Sequence, residues 1–189
     1  MGRHSDSARE KIIDAAEEVV IERGARHLTF DAVAAKSGIS RGGLLYHFRD
    51  KEALLKGMLD RLIERSKERR RKKSAELPEG IEREAVAHVL SFMEEDDEKA
   101  KKACETALFA SAAHDPSLLE PAKREYRVLI DDLTRDGLRF ERAAVVALAT
   151  NGLRLLELLL ISPFDKEERS RIIEEMISLA KDDKDTKEK

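Results

Sequence analysis

Residues 28–48, LTFDAVAAKSGISRGGLLYHF, predict two short helices joined by a tight turn. Thr29 and Ser40 each precede a helical pattern, and both are residue types whose side chains cap helix N-termini. Gly38 is expected to end the first helix, because glycine adopts the positive φ of such a turn without strain, and Ile39 to pin the two helices together. This pattern is typical of a helix-turn-helix, whose second helix enters the major groove of DNA.

The second helix is expected to present two different faces. Leu44 and Phe48 lie four residues apart and are predicted to face a small core. Arg41 and Leu45 share the opposite side, where a guanidinium can donate to guanine or phosphate and a leucine can contact a thymine methyl. The outward face is therefore the candidate DNA-contacting surface.

Two adjacent glycines, Gly42 and Gly43, stand where this helix begins. Each costs about 1 kcal/mol of helix stability relative to alanine. We interpret them as positions where a side chain would hold the backbone away from the duplex. The remaining predicted DNA contacts are polar or charged side chains that can reach phosphates: Thr29, Tyr46, His47 and Lys51. For Tyr46 and His47 the alternative is packing between helices.

Amphipathic spacing predicts an all-α chain, because strand-like alternation is absent. A capping box formed by Ser7 and Glu10 is expected to start the first helix, and Gly24 to end it. The segment LPEG, residues 77–80, is the clearest linker. Further helices are expected at residues 51–73, 81–95, 98–114, 116–136, 141–161 and 166–181.

The composition is 41% hydrophobic and 40% charged over 189 residues, which is typical of a globular helical protein. A single cysteine, Cys104, and an N-terminus unlike a signal peptide predict a reducing cytosol.

The apolar run 143–161 contains Arg154 and Glu157 and is too polar for a lone lipid-facing helix, so no membrane partner is expected. No Ser/His/Asp or Cys/His arrangement, Gly-rich phosphate loop, CxxC or ExxH pair is present in the sequence, so we expect no enzyme activity, metal or cofactor.

Charge is distributed unevenly along the chain. Residues 1–73 contain 18 Lys and Arg against 12 Asp and Glu, a net charge of +6, whereas residues 74–189 carry −9, and the whole chain −3. A basic N-terminal part on an acidic body predicts that one part binds a polyanion. The alternative is that residues 64–73, ERSKERRRKK, supply the excess as a solvated helix end.

Three segments resemble the DNA-binding domain of the tetracycline-repressor-like (TetR) family of bacterial regulators. They are KIIDAAEEVVIERG at residues 11–24, LTFDAVAAKSGIS at 28–40 and GGLLYHFRDKEAL at 42–54. Many members carry a second tyrosine at the position of Leu45. The family positions that commonly contact the operator match these residues: Thr29, Arg41, Gly42, Gly43, Leu45, Tyr46, His47 and Lys51.

The resemblance implies an N-terminal three-helix DNA-binding domain over residues 1–50, a linking fourth helix over 51–73, and a C-terminal helical bundle over 74–189 for effector binding and dimerisation. The implied function is a ligand-responsive homodimeric repressor that acts in the bacterial cytoplasm at the nucleoid. Its expected partners are a near-palindromic double-stranded operator, a second copy of the chain, and a small apolar or amphipathic effector. The alternatives are a helical protein-interaction module and a DNA-binding dimer without a small-molecule effector.

The resemblance implies an effector pocket in the C-terminal helices. The candidate effector residues are His88, Phe92, Cys104, Phe109, Tyr126, Asn151 and Arg154. Phe92, Phe109 and Tyr126 are equally compatible with a core, Cys104 with a small core residue, and His88 with an ion pair to Glu84. The resemblance implies that the last two long helices, 141–161 and 166–181, form the dimer interface, where the expected contacts are Val146, Thr150, Leu153, Glu157, Ile173 and Ile177. Asn151, Arg154 and Glu157 fit a pocket or an interface equally well.

Overall fold

The computed structural model describes residues 2–80, 82–92, 104–108 and 115–181, with side chains described from Ser7 onward. These ranges contain helices and loops and no strand, which confirms the all-α prediction. Residues 104–108 are helical, and Ala25–His27 and Pro116–Leu119 form short 3-10 turns. The helices are α1 (Gly2–Arg23), α2 (Phe30–Ser37), α3 (Arg41–His47), α4 (Lys51–Glu76), α5 (Arg83–Ser91), α6 (Glu120–Arg135), α7 (Phe140–Leu158) and α8 (Lys166–Lys181).

Several helix boundaries differ from the sequence prediction. The helices expected at 81–95, 116–136 and 141–161 cover Arg83–Ser91, Glu120–Arg135 and Phe140–Leu158. Helix α1 begins at Gly2, so Ser7 lies inside the helix and does not cap it, because residues 2–6 continue the helical backbone. Helix α4 continues three residues beyond 73 and ends at Glu76, two residues before the helix-breaking Pro78. The expected helix at 98–114 lies largely outside the described residues, of which 104–108 are helical.

The chain divides into two compact units, Met1–Ile63 with Asp96–Pro121, and Glu64–Glu95 with Ala122–Lys189. Helix α4 contributes its first half to one unit and its second half to the other. The sequence prediction placed all of 74–189 in one domain. Cys104, Leu108 and Leu118 are instead buried in the core of the first unit, because they pack with its apolar side chains.

The first unit is built around the apolar faces of α1 to α4. Its fully buried side chains include Ile12, Ile13, Leu28, Leu44 and Met58. Burial of such aliphatic side chains contributes about 1.5–3 kcal/mol each. The same core therefore supports the helix-turn-helix from behind, leaving the opposite face of α3 in solvent.

An ion-pair cluster joins α4 to α1 within this unit. Arg61 on α4 donates from Nη1 to Asp14 Oδ1 at 2.5 Å and from Nη2 to Glu10 Oε2 at 2.7 Å. The same Nη2 donates to the Glu10 backbone carbonyl at 2.8 Å. The Arg61 side chain is 9% exposed, and charge-assisted bonds of this kind are stronger than neutral ones. They hold the first half of α4 against α1.

The second unit contains the end of α4 together with α5, α6, α7 and α8. Its core is apolar and includes Val89, Leu133, Val146 and Met176. Arg70 on α4 donates to Asp132 on α6 at 3.3 Å. Among the residues that the structure describes, no helix is long and apolar enough to cross a membrane.

Candidate nucleic-acid interface

Local capping bonds form the helix-turn-helix as the sequence predicts. The Thr29 hydroxyl oxygen accepts from the Ala32 amide at 3.1 Å, and the Ser40 hydroxyl oxygen accepts from the Gly43 amide at 3.2 Å. Gly38 has a φ of 69° and ends α2 in the left-handed conformation. Thr29 is exposed, and its own O–H remains available to donate to a phosphate oxygen.

The inward face of α3 is anchored in the core of the first unit. Leu44 is 0% exposed and Phe48 is 3% exposed, which confirms the predicted inward direction of both side chains. Gly57 on α4 leaves room for the Phe48 ring, since a Cβ there would lie 2.8 Å from Phe48 Cε1. These contacts determine which face of α3 turns outward.

The outward face of α3 consists of exposed side chains of mixed chemistry. Arg41 and Leu45 are exposed, and Tyr46 is 82% exposed. The half-buried His47 ring meets the Tyr46 ring edge-on with centroids 5.1 Å apart. An aromatic ring left this open contributes little to the core, so the surface is available for a partner.

The two glycines of α3 have different surroundings. A Cβ on Gly42 would meet nothing within 4 Å, so this position is open on its outer side. A Cβ on Gly43 would lie 2.8 Å from Ile39 Cγ2 and 3.4 Å from Ser40 Oγ. Gly43 is therefore constrained by the packing of the turn against α3, and not only by the close approach to DNA that the sequence predicts.

Gly42→Ala and Gly43→Ala are expected to have different effects on stability. Alanine at 42 should stabilise the helix by up to about 1 kcal/mol, because it removes the entropic cost of glycine. At 43 the same gain is opposed by overpacking against Ile39, which typically costs about 1–3 kcal/mol. Urea unfolding followed by circular dichroism measures both. Equal stabilities for the two variants would mean that Ile39 yields without cost.

The predicted cations of the interface also differ in their surroundings. Arg41 donates from Nη1 to Asp31 Oδ1 at 2.7 Å, although the residues are ten positions apart. In the part of the chain that the structure describes, Lys51 makes no ion pair. Sequence reasoning missed Asp31, and the available signal was an acidic residue in the first turn of α2, the helix beside Arg41.

Three of the seven candidate effector residues lie together in the second unit. The His88 and Phe92 rings meet edge-on with centroids 4.9 Å apart, and the Arg154 guanidinium carbon lies 4.9 Å from the Phe92 centroid. His88 is 3% exposed. Its Nε2 makes no hydrogen bond within the described ranges. This group, His88 with Phe92 and Arg154, is called the His88 cluster below.

The other candidate effector residues have surroundings of three kinds. Cys104 is buried in the core of the first unit. Tyr126 is 48% exposed, and the Asn151 amide donates to the Ala147 carbonyl of its own helix at 2.7 Å. Phe109 lies outside the described residues. The alternative pairing of His88 with Glu84 is not formed, since Glu84 Oε1 accepts from Ser74 at 2.5 Å.

Burial lowers the pKa of His88. Desolvation, with a smaller contribution from the positive charge of Arg70, lowers the pKa of His88 to about 3. The buried imidazole is therefore neutral in the folded protein at physiological pH, whereas in the unfolded chain it protonates near pH 6.5. The folded state consequently loses stability as the pH falls from 6.5 toward 3, because only the unfolded state binds the proton there.

His88→Gln is expected to reduce the acid sensitivity of the protein. Between pH 6 and pH 4.5 the free energy of unfolding of the wild type should fall more steeply, by up to about 1.4 kcal/mol per pH unit. Urea unfolding at several pH values measures the two slopes, and the difference between slopes does not depend on the absolute stability of the variant. Parallel slopes would show that His88 is not kept neutral by burial.

Three of the predicted dimer contacts lie in the protomer's own core. Val146 is 0%, Thr150 1% and Leu153 6% exposed, so their side chains are covered within one chain. Glu157 is half-buried and accepts from Arg169 Nε at 2.5 Å. Ile173 and Ile177 are partly buried against the same core.

The apolar face that remains exposed on α7 is offset from those residues. Its side chains are Val145 at 50%, Leu148 at 72%, Leu155 at 48% and, at the C-cap, Leu159 at 43% exposure. At about 100° per residue, these side chains and the predicted contacts Val146, Thr150 and Leu153 lie on roughly opposite sides of α7. We call Val145, Leu148, Leu155 and Leu159 the α7 stripe.

Family models match most of the chain. The model described as "Bacterial regulatory proteins, tetR family" matches residues 12–58. The model described as "Tetracyclin repressor-like, C-terminal domain" matches residues 82–181, more than half of the 189 residues. The two matches therefore include the helix-turn-helix, the His88 cluster and the α7 stripe.

Individual regulators and solved structures are also similar to this chain. The chain is 38% identical over 55 residues to the HTH-type transcriptional regulator SrpR of Pseudomonas putida, a match that spans 29% of this chain and 26% of SrpR. The crystal structure of SCO7518 from Streptomyces coelicolor A3(2) matches with a TM-score of 0.75 at 19% identity, over 93% of this chain and 99% of that one. The multidrug binding protein EbrR in complex with malachite green matches with a TM-score of 0.70 at 22% identity, over 89% of this chain and 96% of that one.

Proposed function

Because this chain belongs to the tetracycline-repressor-like (TetR) family of bacterial transcriptional regulators, which are DNA-binding proteins and not enzymes, we propose that it is a homodimeric, ligand-responsive repressor. Each protomer inserts α3 into the major groove of one half of a near-palindromic operator. Occupation of the operator blocks RNA polymerase. We further propose that the protein acts in the bacterial cytoplasm, at the nucleoid.

The observation that carries the DNA-binding part of the proposal is the division of α3 into two faces. Leu44 and Phe48 hold one face in the core, while Arg41, Leu45 and Tyr46 project from the other. The outward side chains supply a guanidinium for a guanine edge, an aliphatic contact for a thymine methyl and a hydroxyl for a phosphate. Thr29, His47 and Lys51 extend the same set with groups that can reach phosphates.

The α7 stripe supports the dimer. Val145, Leu148, Leu155 and Leu159, together with the exposed Gly152, recur at intervals of three and four residues. Such spacing is typical of a seam between paired helices, and a patch of this kind in water favours a protein partner. A second copy of α7, with Ile173 and Ile177 on α8 behind it, would bury the stripe. A two-fold dimer then spaces the α3 helices about 34–36 Å apart, or a multiple of that distance.

The His88 cluster supports a small effector that is mainly apolar with a polar group. A neutral imidazole whose Nε2 makes no hydrogen bond in the described structure offers one bond to a ligand. The Phe92 ring beside it offers an apolar or cationic contact. EbrR, a structural neighbour, binds malachite green. To release DNA, the effector must bind the non-operator conformation more tightly by a few kcal/mol, since equal affinity shifts nothing.

Helix α4 is the proposed connection between effector and operator, because it contributes to both compact units. Movement of its second half on ligand binding would be passed to the first unit through the Arg61 cluster with Glu10 and Asp14. A ligand-bound structure in which α4 keeps its position would refute this route.

The proposed function is tested by selecting genomic fragments with the purified full-length protein in the presence of competitor DNA. We expect enrichment of a short near-palindromic sequence and an affinity that falls steeply with salt, because phosphate contacts release counterions. Enrichment of no sequence at low ionic strength would overturn the proposal and favour a helical protein-interaction module. Addition of apolar compounds to the bound complex then tests the effector.

A further inference from the structure

We propose that Asp31 is a specificity-determining residue: its carboxylate orients the Arg41 guanidinium toward a base edge and away from the phosphates. The inference rests on the proposed function, because it assumes that α3 lies in the major groove. Asp31 itself is not among the residues expected to contact DNA.

The bond to Asp31 occupies only one of the hydrogen-bond donors of Arg41. Arg41 Nη1 donates to Asp31 Oδ1 at 2.7 Å, and no second bond from the guanidinium to a described residue is present. A guanidinium has five N–H donors in a rigid plane. The bond to Asp31 favours one direction of this plane, and the remaining donors can still form the bidentate contact to guanine O6 and N7.

Charge and exposure indicate what this pair is for. The Arg41 side chain is 63% exposed and the Asp31 side chain 75% exposed, so the pair adds little to the stability of the free protein. A carboxylate at a DNA-facing surface also repels phosphates, which weakens binding to every sequence. Asp31 in the first turn of α2 also stabilises that helix, so its role in discrimination is inferred from its bond to Arg41.

The surroundings of Lys51 differ from those of Arg41, which supports a different role for each cation. Lys51 is exposed and makes no ion pair with any described residue, so its ammonium is unrestrained and suits a phosphate, which carries no sequence information. Arg41, at the first residue of α3, is the restrained cation. Arg41, the cation proposed to contact a base, is thus paired with an acidic residue, whereas Lys51 has no acidic partner among the described residues.

The test is Asp31→Asn, which keeps the shape of the side chain and removes its charge. Wild type and variant are titrated with the selected operator, with operators changed at each base pair in turn, and with an unrelated duplex. We expect the variant to bind the unrelated duplex more tightly, by roughly two- to tenfold at low salt. Its preference for the wild-type base pair at one position in each half-site should fall by about tenfold or more.

Two controls separate specificity from charge. Glu52→Gln removes an exposed carboxylate next to Lys51 and should strengthen binding to all duplexes alike, with base preferences unchanged. In an Arg41→Ala background, Asp31→Asn should no longer alter any base preference, because the group that it orients is gone. Thermal unfolding of each variant checks that α2, where Asp31 lies in the first turn, remains folded.

The outcomes are distinct from those that test the proposed function. Suppose that the wild type selects an operator and that Asp31→Asn changes the affinity for all duplexes by the same factor, as Glu52→Gln does. The proposed role of Asp31 is then refuted, while the proposed function as a regulator is not. If the effect on preference persists without Arg41, Asp31 acts by another route and the proposal fails. If the wild type selects no sequence, the proposed function itself fails.

Discussion

Leu44→Ala is expected to lower the free energy of unfolding of the DNA-binding unit by about 2–5 kcal/mol. Leu44 is 0% exposed and lies in the same core as Ile12, Leu28 and Met58. Removal of three carbons leaves a cavity that the surrounding helices fill only in part, so the loss exceeds the transfer free energy of the side chain. Urea unfolding followed by circular dichroism measures the change, and operator binding should fall with the loss of the folded unit.

The neighbouring Leu45→Ala is the matched control for this prediction. Leu45 is 44% exposed, so its truncation should change stability by no more than about 0.5 kcal/mol. It should nevertheless weaken operator binding, because the contact with a thymine methyl is lost. Equal destabilisation by the two substitutions would mean that α3 does not present the faces described here.

Leu148→Glu is expected to convert the dimer to monomers and to reduce operator affinity by about 100-fold or more. Leu148 is the most exposed member of the α7 stripe, at 72%. A carboxylate at this position has no effect on the protomer core but would be buried without a partner in a helix–helix interface, which is strongly unfavourable. Loss of the second protomer removes the gain in affinity from two linked half-sites, which is typically 10²–10⁴-fold.

Sedimentation velocity and titration of the operator measure the two parts of this prediction. Arg124→Glu introduces the same carboxylate on an exposed position of α6 and should leave both the dimer and the affinity unchanged. Circular dichroism should show unchanged helix content for both variants. A Leu148→Glu protein that remains dimeric with full affinity would place the interface elsewhere.

Much of the DNA-binding unit could be predicted from the sequence, because its decisive interactions are local. The caps at Thr29 and Ser40 are bonds to amides three residues ahead, and the positive φ of Gly38 is a property of that residue alone. The periodicity of Leu44 and Phe48 likewise reports which face of one helix is apolar. Patterns within a few residues therefore predicted the helices, the turn and the outward side chains.

The capping box at Ser7 shows where local reasoning was wrong. The sequence S-x-x-E is a favourable start signal, yet α1 begins at Gly2. Residues 2–6 contain no proline or internal glycine to stop the helix. A capping residue marks a boundary only when the preceding residues leave the helix, and the motif cannot report that.

The remaining features depend on contacts between residues distant in the chain. Asp31 and Arg41, ten residues apart, meet because α2 and α3 pack at the turn. The apolar residues of α7 almost encircle the helix, so periodicity could not distinguish Val146 in the core from Val145 in solvent. That choice came from the packing of α7 against the other helices of its own unit, since burial is a property of the assembled core and is not encoded in any short segment.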